Sequence, residues 1–280
     1  LKFIKKTVNF DDPHTYHLYY GDETGTPGTI LTFFPWGEYG FKGKKGTGQI
    51  AAISFSVPSQ SIDYWMDRLK KYNIEFAGPV KRFDEEVLIF EDFDGFEIEI
   101  VANEEEKSSG YKFFDVPAEH SLRKFWGASI WHKNLKPSEE LLTGLLEFKR
   151  IKESGNRIRF ASGDSYLDLL QLPDQQKGIM GVGAIHHIAF RTEDESSQLK
   201  VRERLIKNNL NVTPVVDRKY FKSIYFNEPG NVLFEIATDP PGFLVDEKTG
   251  LLDYSLKLPP WLETSRTEIE AVLPQLKIPG

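Results

Sequence analysis

One order of strands and helices occurs three times in the sequence, and this repeat constrains the fold more than any other feature. Residues 50–101 read as a strand, an amphipathic helix and three further strands, an order written βαβββ. The same order recurs in residues 122–172 and in residues 184–237. Residues 3–34 hold three strand-like runs separated by turn residues, which predicts a fourth copy without its first strand and helix. We number these copies in chain order as modules 1 to 4.

The repeat predicts an α+β protein in which four βαβββ modules pair into two open, cup-shaped mixed β-sheets. We expect an N-terminal domain over residues 1–110, formed by the incomplete module 1 and by module 2. Modules 3 and 4 are expected to form a C-terminal domain over residues 111–245. Residues 246–280, with a short helix near 267–273, are expected to form an arm packed over module 4.

The composition limits the partners of the chain. Its 280 residues include 42 acidic and 35 basic side chains, and the net charge of −7 disfavours binding to nucleic acid. Cysteine is absent, so a metal would need histidine, carboxylate or water ligands. No apolar run approaches the roughly 18 residues that cross a bilayer, and no secretory leader opens the sequence. We therefore expect a cytoplasmic protein without a membrane partner; the sequence leaves a homo-oligomer open.

Module 4 departs from the internal template at two positions. The run Ile185-His186-His187-Ile188-Ala189-Phe190 matches residues 50–55 of module 2, where two alanines stand in place of the histidines. The last strand of module 4 carries Glu235 inside an apolar run, 48 positions after His187, and Glu99 lies 47 positions after Ala52. Side chains alternate along a strand, so His187 is predicted to face one side and His186 the other. His187 and Glu235 are predicted to converge if the two strands are neighbours.

Two interpretations of this pair are open. A histidine in an apolar strand is often a hydrogen-bonded core residue, and Arg218 could be a structural partner of Glu235. Alternatively, a neutral imidazole and a carboxylate suit Fe(II), Mn(II) or zinc, and two histidines with one carboxylate are typical of non-haem iron oxygenases. His14, His17 and His132 carry no functional prediction.

The modules, together with longer motifs, resemble the vicinal oxygen chelate superfamily, which includes glyoxalases, extradiol dioxygenases and bleomycin-resistance proteins. The resemblance spans essentially the whole chain and is closer to the hydroquinone-type ring-cleaving dioxygenases. The motifs that carry it are Lys5-Lys6-Thr7-Val8-Asn9-Phe10-Asp11-Asp12-Pro13, Tyr16-His17-Leu18-Tyr19-Tyr20-Gly21-Asp22, Gly28-Thr29-Ile30-Leu31-Thr32-Phe33-Phe34-Pro35-Trp36, His186-His187-Ile188-Ala189-Phe190 and Phe234-Glu235-Ile236-Ala237-Thr238-Asp239-Pro240-Pro241-Gly242-Phe243.

The resemblance implies a site of defined composition. It implies that His187 and Glu235 are metal ligands and that a third ligand, a histidine on the first strand of module 1, lies upstream of Leu1. It also implies substrate or proton-transfer roles for His186, Arg218 and Tyr225. The implied activity is Fe(2+)-dependent cleavage of hydroquinone-type or catechol-type diols by O₂, with extradiol-like cleavage and with Mn(2+) as another possible metal.

Two other activities are open on the same scaffold. A glyoxalase-like isomerase or lyase would use Zn, Ni or Mn without consuming oxygen. A ligand-sequestering protein would bind an aromatic molecule in the cup without any metal, and the pairing of His187 with Glu235 argues against this third alternative.

Overall fold

The computed structural model describes residues 1–36, 40–104, 110–247 and 254–276. Within these residues, module 1 consists of strands β1 (Lys2–Asn9), β2 (Asp12–Gly21) and β3 (Leu31–Phe33). Module 2 consists of β4 (Gln49–Pro58), α1 (Ile62–Lys71), β5 (Phe76–Arg82), β6 (Glu85–Glu91) and β7 (Glu97–Asn103). The order of elements in both modules is the predicted one.

The second half of the chain repeats the order twice more. Module 3 consists of β8 (Phe125–His132), α2 (Lys136–Gly144), β9 (Lys149–Ser154), β10 (Arg157–Ser162) and β11 (Ser165–Gln171). Module 4 consists of β12 (Ile188–Thr192), α3 (Glu195–Lys207), β13 (Val216–Asp217), β14 (Lys222–Asn227) and β15 (Leu233–Thr238), and α4 (Arg266–Val272) follows it. The predicted fold of α+β modules with open, curled sheets is confirmed.

The largest sheet joins modules 2 and 3 into one layer. Its eight strands lie in the order β5-β6-β7-β4-β8-β11-β10-β9, and the first strands of the two modules, β4 and β8, pair antiparallel at its centre. β4 is buried along its whole length, as its nearly continuous apolar sequence predicts. The sheet therefore crosses residue 110, where the sequence predicts a domain boundary.

Modules 1 and 4 come from opposite ends of the chain and pack against each other. Module 1 forms the sheet β1-β2-β3, and module 4 forms the sheet β12-β15-β14-β13. Tyr19 of β2 lies in one buried cluster with Tyr220 and Phe243, and its ring centroid is 5.0 Å from that of Phe243. This apolar contact joins the two small sheets, and we call the space between them the cup.

The strand registers agree with the residue-by-residue match of modules 2 and 4. In module 2, β4 runs parallel to β7 and Ser54 is opposite Glu99. In module 4, β12 runs parallel to β15 and Ala189 is opposite Glu235. Glu99 and Glu235 therefore occupy the same place in their modules.

The predicted first strand of module 4 is longer than the observed one. The sequence predicts a strand from residue 184, but β12 begins at Ile188, so His186 and His187 precede it. The ladder with β15 starts at Ile188 opposite Phe234, and no other strand of the described residues borders β12. The two histidines lie between the bridge from Ile185 to Ile50 and the start of this ladder. Their Nδ1 atoms are 2.9 Å apart, so the prediction that they face opposite sides is wrong.

The predicted helix near residues 267–273 is α4, whose Ile269 packs with Val8 of β1 and Leu258. The segment after module 4 thus packs over module 1, and its residues 248–253 and 277–280 lie outside the described residues. Among the described helices, none combines the length and the apolar composition needed to cross a membrane.

Candidate active site

His187 and Glu235 meet at the inner face of the module 4 sheet. His187 lies just before β12 and Glu235 lies in the middle of β15, and these two strands are parallel neighbours. The distance from His187 Nε2 to Glu235 Oε2 is 2.8 Å. The glutamate side chain is 3% exposed and the histidine side chain 21%, so solvent reaches the pair mainly at the histidine. The structure thus brings the two predicted ligands together.

Two hydroxyl groups of β14 bind the other oxygen of the glutamate. Ser223 donates a hydrogen bond to Glu235 Oε1, and Tyr225 donates a second one over 3.0 Å. Burial acts to raise the pKa of Glu235, but the hydrogen bonds from His187, Ser223 and Tyr225 outweigh it, and the pKa lies below its usual value. The carboxylate is therefore ionised in the pH range in which a cation would bind.

His186 contacts the ligand pair through the ring of its neighbour. The Nδ1 atoms of His186 and His187 are 2.9 Å apart, so one of them donates and the other accepts. Burial, followed by the adjacent His187, lowers the pKa of His186. Its imidazole is therefore neutral near pH 7 and can accept a proton.

Arg218 and Tyr225 form a second layer behind the glutamate. Arg218 Nε donates to the Tyr225 hydroxyl over 3.1 Å, and Arg218 Nη1 reaches Asp11 Oδ2 of module 1 at 2.9 Å. The alternative that Arg218 pairs directly with Glu235 is not what the structure shows, because Tyr225 lies between them. Burial and the charge of Glu235 raise the pKa of Tyr225, so the phenol keeps its proton.

His17 and Tyr19 of β2 face the same cup from module 1. The Tyr19 hydroxyl lies 2.9 Å from His17 Nδ1, and the His17 ring stacks on Phe34 with centroids 4.3 Å apart. Burial, followed by electrostatic interactions with His187 and Arg218, lowers the pKa of His17 to about 3. His17 Nε2 is shielded from solvent and has no hydrogen-bond partner among the described residues.

Sequence reasoning passed over His17, although a signal for it exists. His17 and Tyr19 are two residues apart and so share one face of β2, while Tyr16 and Leu18 on the other face pack with the tail. A polar and aromatic face opposite an apolar one indicates a lined cavity. His14 and His132, which also carry no prediction, lie elsewhere: His14 is exposed, and His132 is buried 3.6 Å from Glu228.

The donor atoms present fit part of a divalent metal site. Within the described ranges, no group of three or more histidine or carboxylate side chains could hold a metal ion. An imidazole nitrogen and a carboxylate oxygen do converge, however, and outer hydrogen bonds orient the carboxylate, as is usual for ligating side chains. The pair fits two ligands of the three-ligand site that the resemblance implies.

Paired βαβββ modules forming open, curled sheets define a vicinal oxygen chelate protein. Residues 128–245 match the family model described as the glyoxalase/bleomycin resistance protein/dioxygenase superfamily. This match and the whole-length relatives described next show that the chain belongs to this superfamily, and the predicted resemblance is confirmed.

The relatives that match along the whole chain are more specific. MhqO of Bacillus subtilis (strain 168), named as a ring-cleaving dioxygenase, is 41% identical over 96% of this chain and 86% of its own length. The chlorohydroquinone/hydroquinone 1,2-dioxygenase of Sphingobium indicum is 34% identical over 96% of this chain and 86% of its own length. A solved structure from Bacillus subtilis named as a dioxygenase has a TM-score of 0.94 at 40% identity, covering 99% of this chain and 89% of that one.

Proposed function

We propose that the protein is an Fe(2+)-dependent dioxygenase that cleaves the ring of a hydroquinone-type or catechol-type diol with O₂. The observation that carries the proposal is the convergence of His187 Nε2 and Glu235 Oε2 at 2.8 Å, backed by Tyr225. Whole-length relatives named as ring-cleaving dioxygenases support it, and one of them is named for its action on hydroquinone. Cleavage of the bond between a hydroxylated ring carbon and its neighbour agrees with the 1,2-dioxygenase name of that relative.

His187 and Glu235 would hold the metal, and the family resemblance implies a third, histidine ligand. Imidazole and carboxylate ligands suit Fe(2+), and Mn(2+) is an alternative with the same ligand preferences. When bound, the metal would polarise a phenol oxygen and bring the diol and O₂ together.

The protein groups around this pair supply proton and charge control. His186 is neutral, so its free ring nitrogen can accept the proton that a diol hydroxyl loses on binding. The Tyr225 O–H keeps its proton and donates to Glu235, which fixes the orientation of the carboxylate. The Arg218 guanidinium contributes a positive charge that stabilises negative charge developing on a substrate oxygen.

Metal analysis and oxygen uptake test the proposal directly. Full-length protein is prepared without oxygen, loaded with Fe(2+) or Mn(2+), and assayed in an oxygen electrode with hydroquinone and with catechol. We expect one bound metal per chain and consumption of one O₂ per ring cleaved. Bound metal without oxygen uptake would favour a glyoxalase-like isomerase. Binding of an aromatic ligand by protein that takes up no metal would favour sequestration.

A further inference from the structure

Modules 2 and 4 each bury a glutamate at the same place in the last strand, and each places an arginine seventeen residues earlier. The pairs are Arg82 with Glu99 in module 2 and Arg218 with Glu235 in module 4. The two modules share strand order and register at the glutamate, so the two arginines start from corresponding positions. Module 2 therefore shows which contact the arginine makes when no side chain lies between it and the glutamate.

In module 2 the arginine occupies its glutamate completely. Arg82 Nη1 lies 2.6 Å from Glu99 Oε2, and Arg82 Nη2 lies 2.5 Å from Glu99 Oε1. The two side chains are 11% and 1% exposed. A buried, bidentate guanidinium neutralises the carboxylate and takes both of its oxygens. Neither oxygen of Glu99 is therefore available to a metal ion.

In module 4 a tyrosine stands between the two groups. Ile89 is the residue of β6 opposite Glu99, and Tyr225 is the residue of β14 opposite Glu235. The Tyr225 hydroxyl accepts from Arg218 Nε at 3.1 Å and donates to Glu235 Oε1 at 3.0 Å. The Arg218 guanidinium also lies over the Tyr225 ring, 5.3 Å from its centroid.

We propose that Tyr225 is a positioning residue that keeps Arg218 off Glu235 and so leaves a glutamate oxygen free for a divalent cation. The Tyr225 hydroxyl accepts a hydrogen bond from Arg218, whereas in module 2 the glutamate itself accepts from the arginine. Arg218 Nη1 donates to Asp11 Oδ2 instead of to Glu235. A guanidinium and a metal ion compete for the same carboxylate lone pairs, so the tyrosine decides which of them the glutamate binds. This inference rests on the metal-binding part of the proposed function.

The test is a second-site rescue of metal affinity. Tyr225→Ile gives module 4 the residue type that module 2 has, and we expect the dissociation constant for Fe(2+) or Mn(2+) in full-length protein to rise about tenfold to hundredfold. Adding Arg218→Met to this variant removes the competing guanidinium and is expected to restore most of the lost affinity. A crystal structure of Tyr225→Ile should show the guanidinium within about 3 Å of Glu235.

Controls separate competition from a general loss of structure. Ile89→Val, at the corresponding position of module 2, should leave metal affinity unchanged. Tyr225→Phe keeps the ring but loses the hydroxyl, so it tests the same expectation if Tyr225→Ile does not fold. Unchanged affinity in the folded single variants would overturn the inference, and so would a double variant that binds metal no better than the single one.

This test does not depend on the ring-cleavage assay, because it measures the dissociation constant for the metal ion. Rescue without any oxygen uptake would support the role of Tyr225 and contradict the dioxygenase proposal. Ring cleavage without rescue would leave the dioxygenase proposal standing and contradict this one.

Discussion

Glu235 shows how a buried carboxylate stays ionised at this site. It is 3% exposed, and burial alone would favour its neutral form. The hydroxyls of Ser223 and Tyr225 and the imidazole of His187 reverse that preference by donating to it. The charge of this residue, and not only its position, is therefore what makes it a candidate ligand.

Replacing this charge is expected to remove the metal. Glu235→Gln keeps the shape but offers a weaker neutral oxygen, so we expect purified, metal-loaded protein to lose stoichiometric iron and oxygen uptake. Metal analysis by mass spectrometry measures the loss. Glu99→Gln, assayed where both variants are folded, is the matched control and should keep its metal. Retention of stoichiometric iron by Glu235→Gln would exclude Glu235 from the site.

His17 predicts a pH dependence of stability. Its pKa is about 3 in the folded chain and near 6.5 when unfolded, so the unfolded state binds the proton first as the pH falls. The contribution of this residue is therefore present above about pH 6.5 and is lost progressively towards pH 3. We expect urea unfolding of the metal-free protein to show less destabilisation between pH 7 and pH 4 in His17→Phe than in the wild type.

The matched control for that measurement is His14→Phe. His14 lies on the same strand, but its side chain is 74% exposed. It should leave the acid dependence unchanged. Equal acid sensitivity of His17→Phe and the wild type would contradict the expectation.

At the scale of single residues, the sequence predicted the pair His187 and Glu235 but not His17, which lines the same site. His187 stood out because Ala52 holds its place in module 2, and Glu235 because it interrupts an apolar run. His17 did not stand out because its module lacks the template strand that made the comparison possible. The contact between His186 and His187 could not be predicted, since it depends on where a ladder of hydrogen bonds starts.

Among the elements, the strands of the eight-stranded sheet of modules 2 and 3 carry several nearly buried ion pairs. Arg82 binds Glu99, and Arg157 and Arg159 both bind Asp168 of β11, with Arg157 Nη1 2.8 Å from Asp168 Oδ2. These groups are nearly buried and satisfy one another. Modules with the same strand order therefore carry neutralised ion pairs in the eight-stranded sheet and an available carboxylate, Glu235, in module 4.

Breaking one of these pairs should cost stability without affecting metal binding. Glu99→Ala leaves the Arg82 charge buried without its partner, and we expect a loss of about 3–5 kcal/mol in the free energy of unfolding. Equilibrium unfolding in urea measures it. Glu140→Ala, whose side chain is 67% exposed, is the control and should cost less than about 1 kcal/mol. Similar losses for both variants would contradict a special role for the buried pair.

Element boundaries followed from local pattern where the partner strands were also local. The predicted spans of modules 2 and 3, residues 50–101 and 122–172, agreed to within a few residues with the observed ones, from β4 to β7 and from β8 to β11. The start of β12 did not, because only β15 pairs with it among the described strands. Periodicity cannot show how many neighbours a strand has.

Across the whole molecule, the pairing of modules does not follow their order in the chain. Module 2 shares a sheet with module 3, while module 1 packs against module 4 through Tyr19, Tyr220 and Phe243. The sequence predicts domains of modules 1 with 2 and of modules 3 with 4; the largest buried cluster does join modules 3 and 4, whereas the eight-stranded sheet joins modules 2 and 3. The boundary at residue 110 stays a prediction for independent folding units.

A buried lysine connects module 1 to the chain that follows module 4. Lys5 of β1 is fully buried, lies 2.8 Å from Asp246 Oδ1 and also pairs with Glu247. We expect Lys5→Met to lower the free energy of unfolding by about 3 kcal/mol, because it leaves buried acids with fewer partners. Hydrogen exchange should show faster opening of β1. The exposed Lys70→Met is the control; an equal effect of both would contradict the assignment.

The cup that contains Glu235 is lined by Tyr19 and His17 from one end of the chain and by β14 and β15 from the other. During synthesis, all strands of the sheet β4 to β11 are available once about residue 171 has left the ribosome, whereas Tyr220 and Phe243, on which β2 packs, follow later. A ribosome-stalled fragment that ends before β14 should therefore contain every strand of the inner sheet, but it lacks Glu235 and should be unable to take up a metal ion.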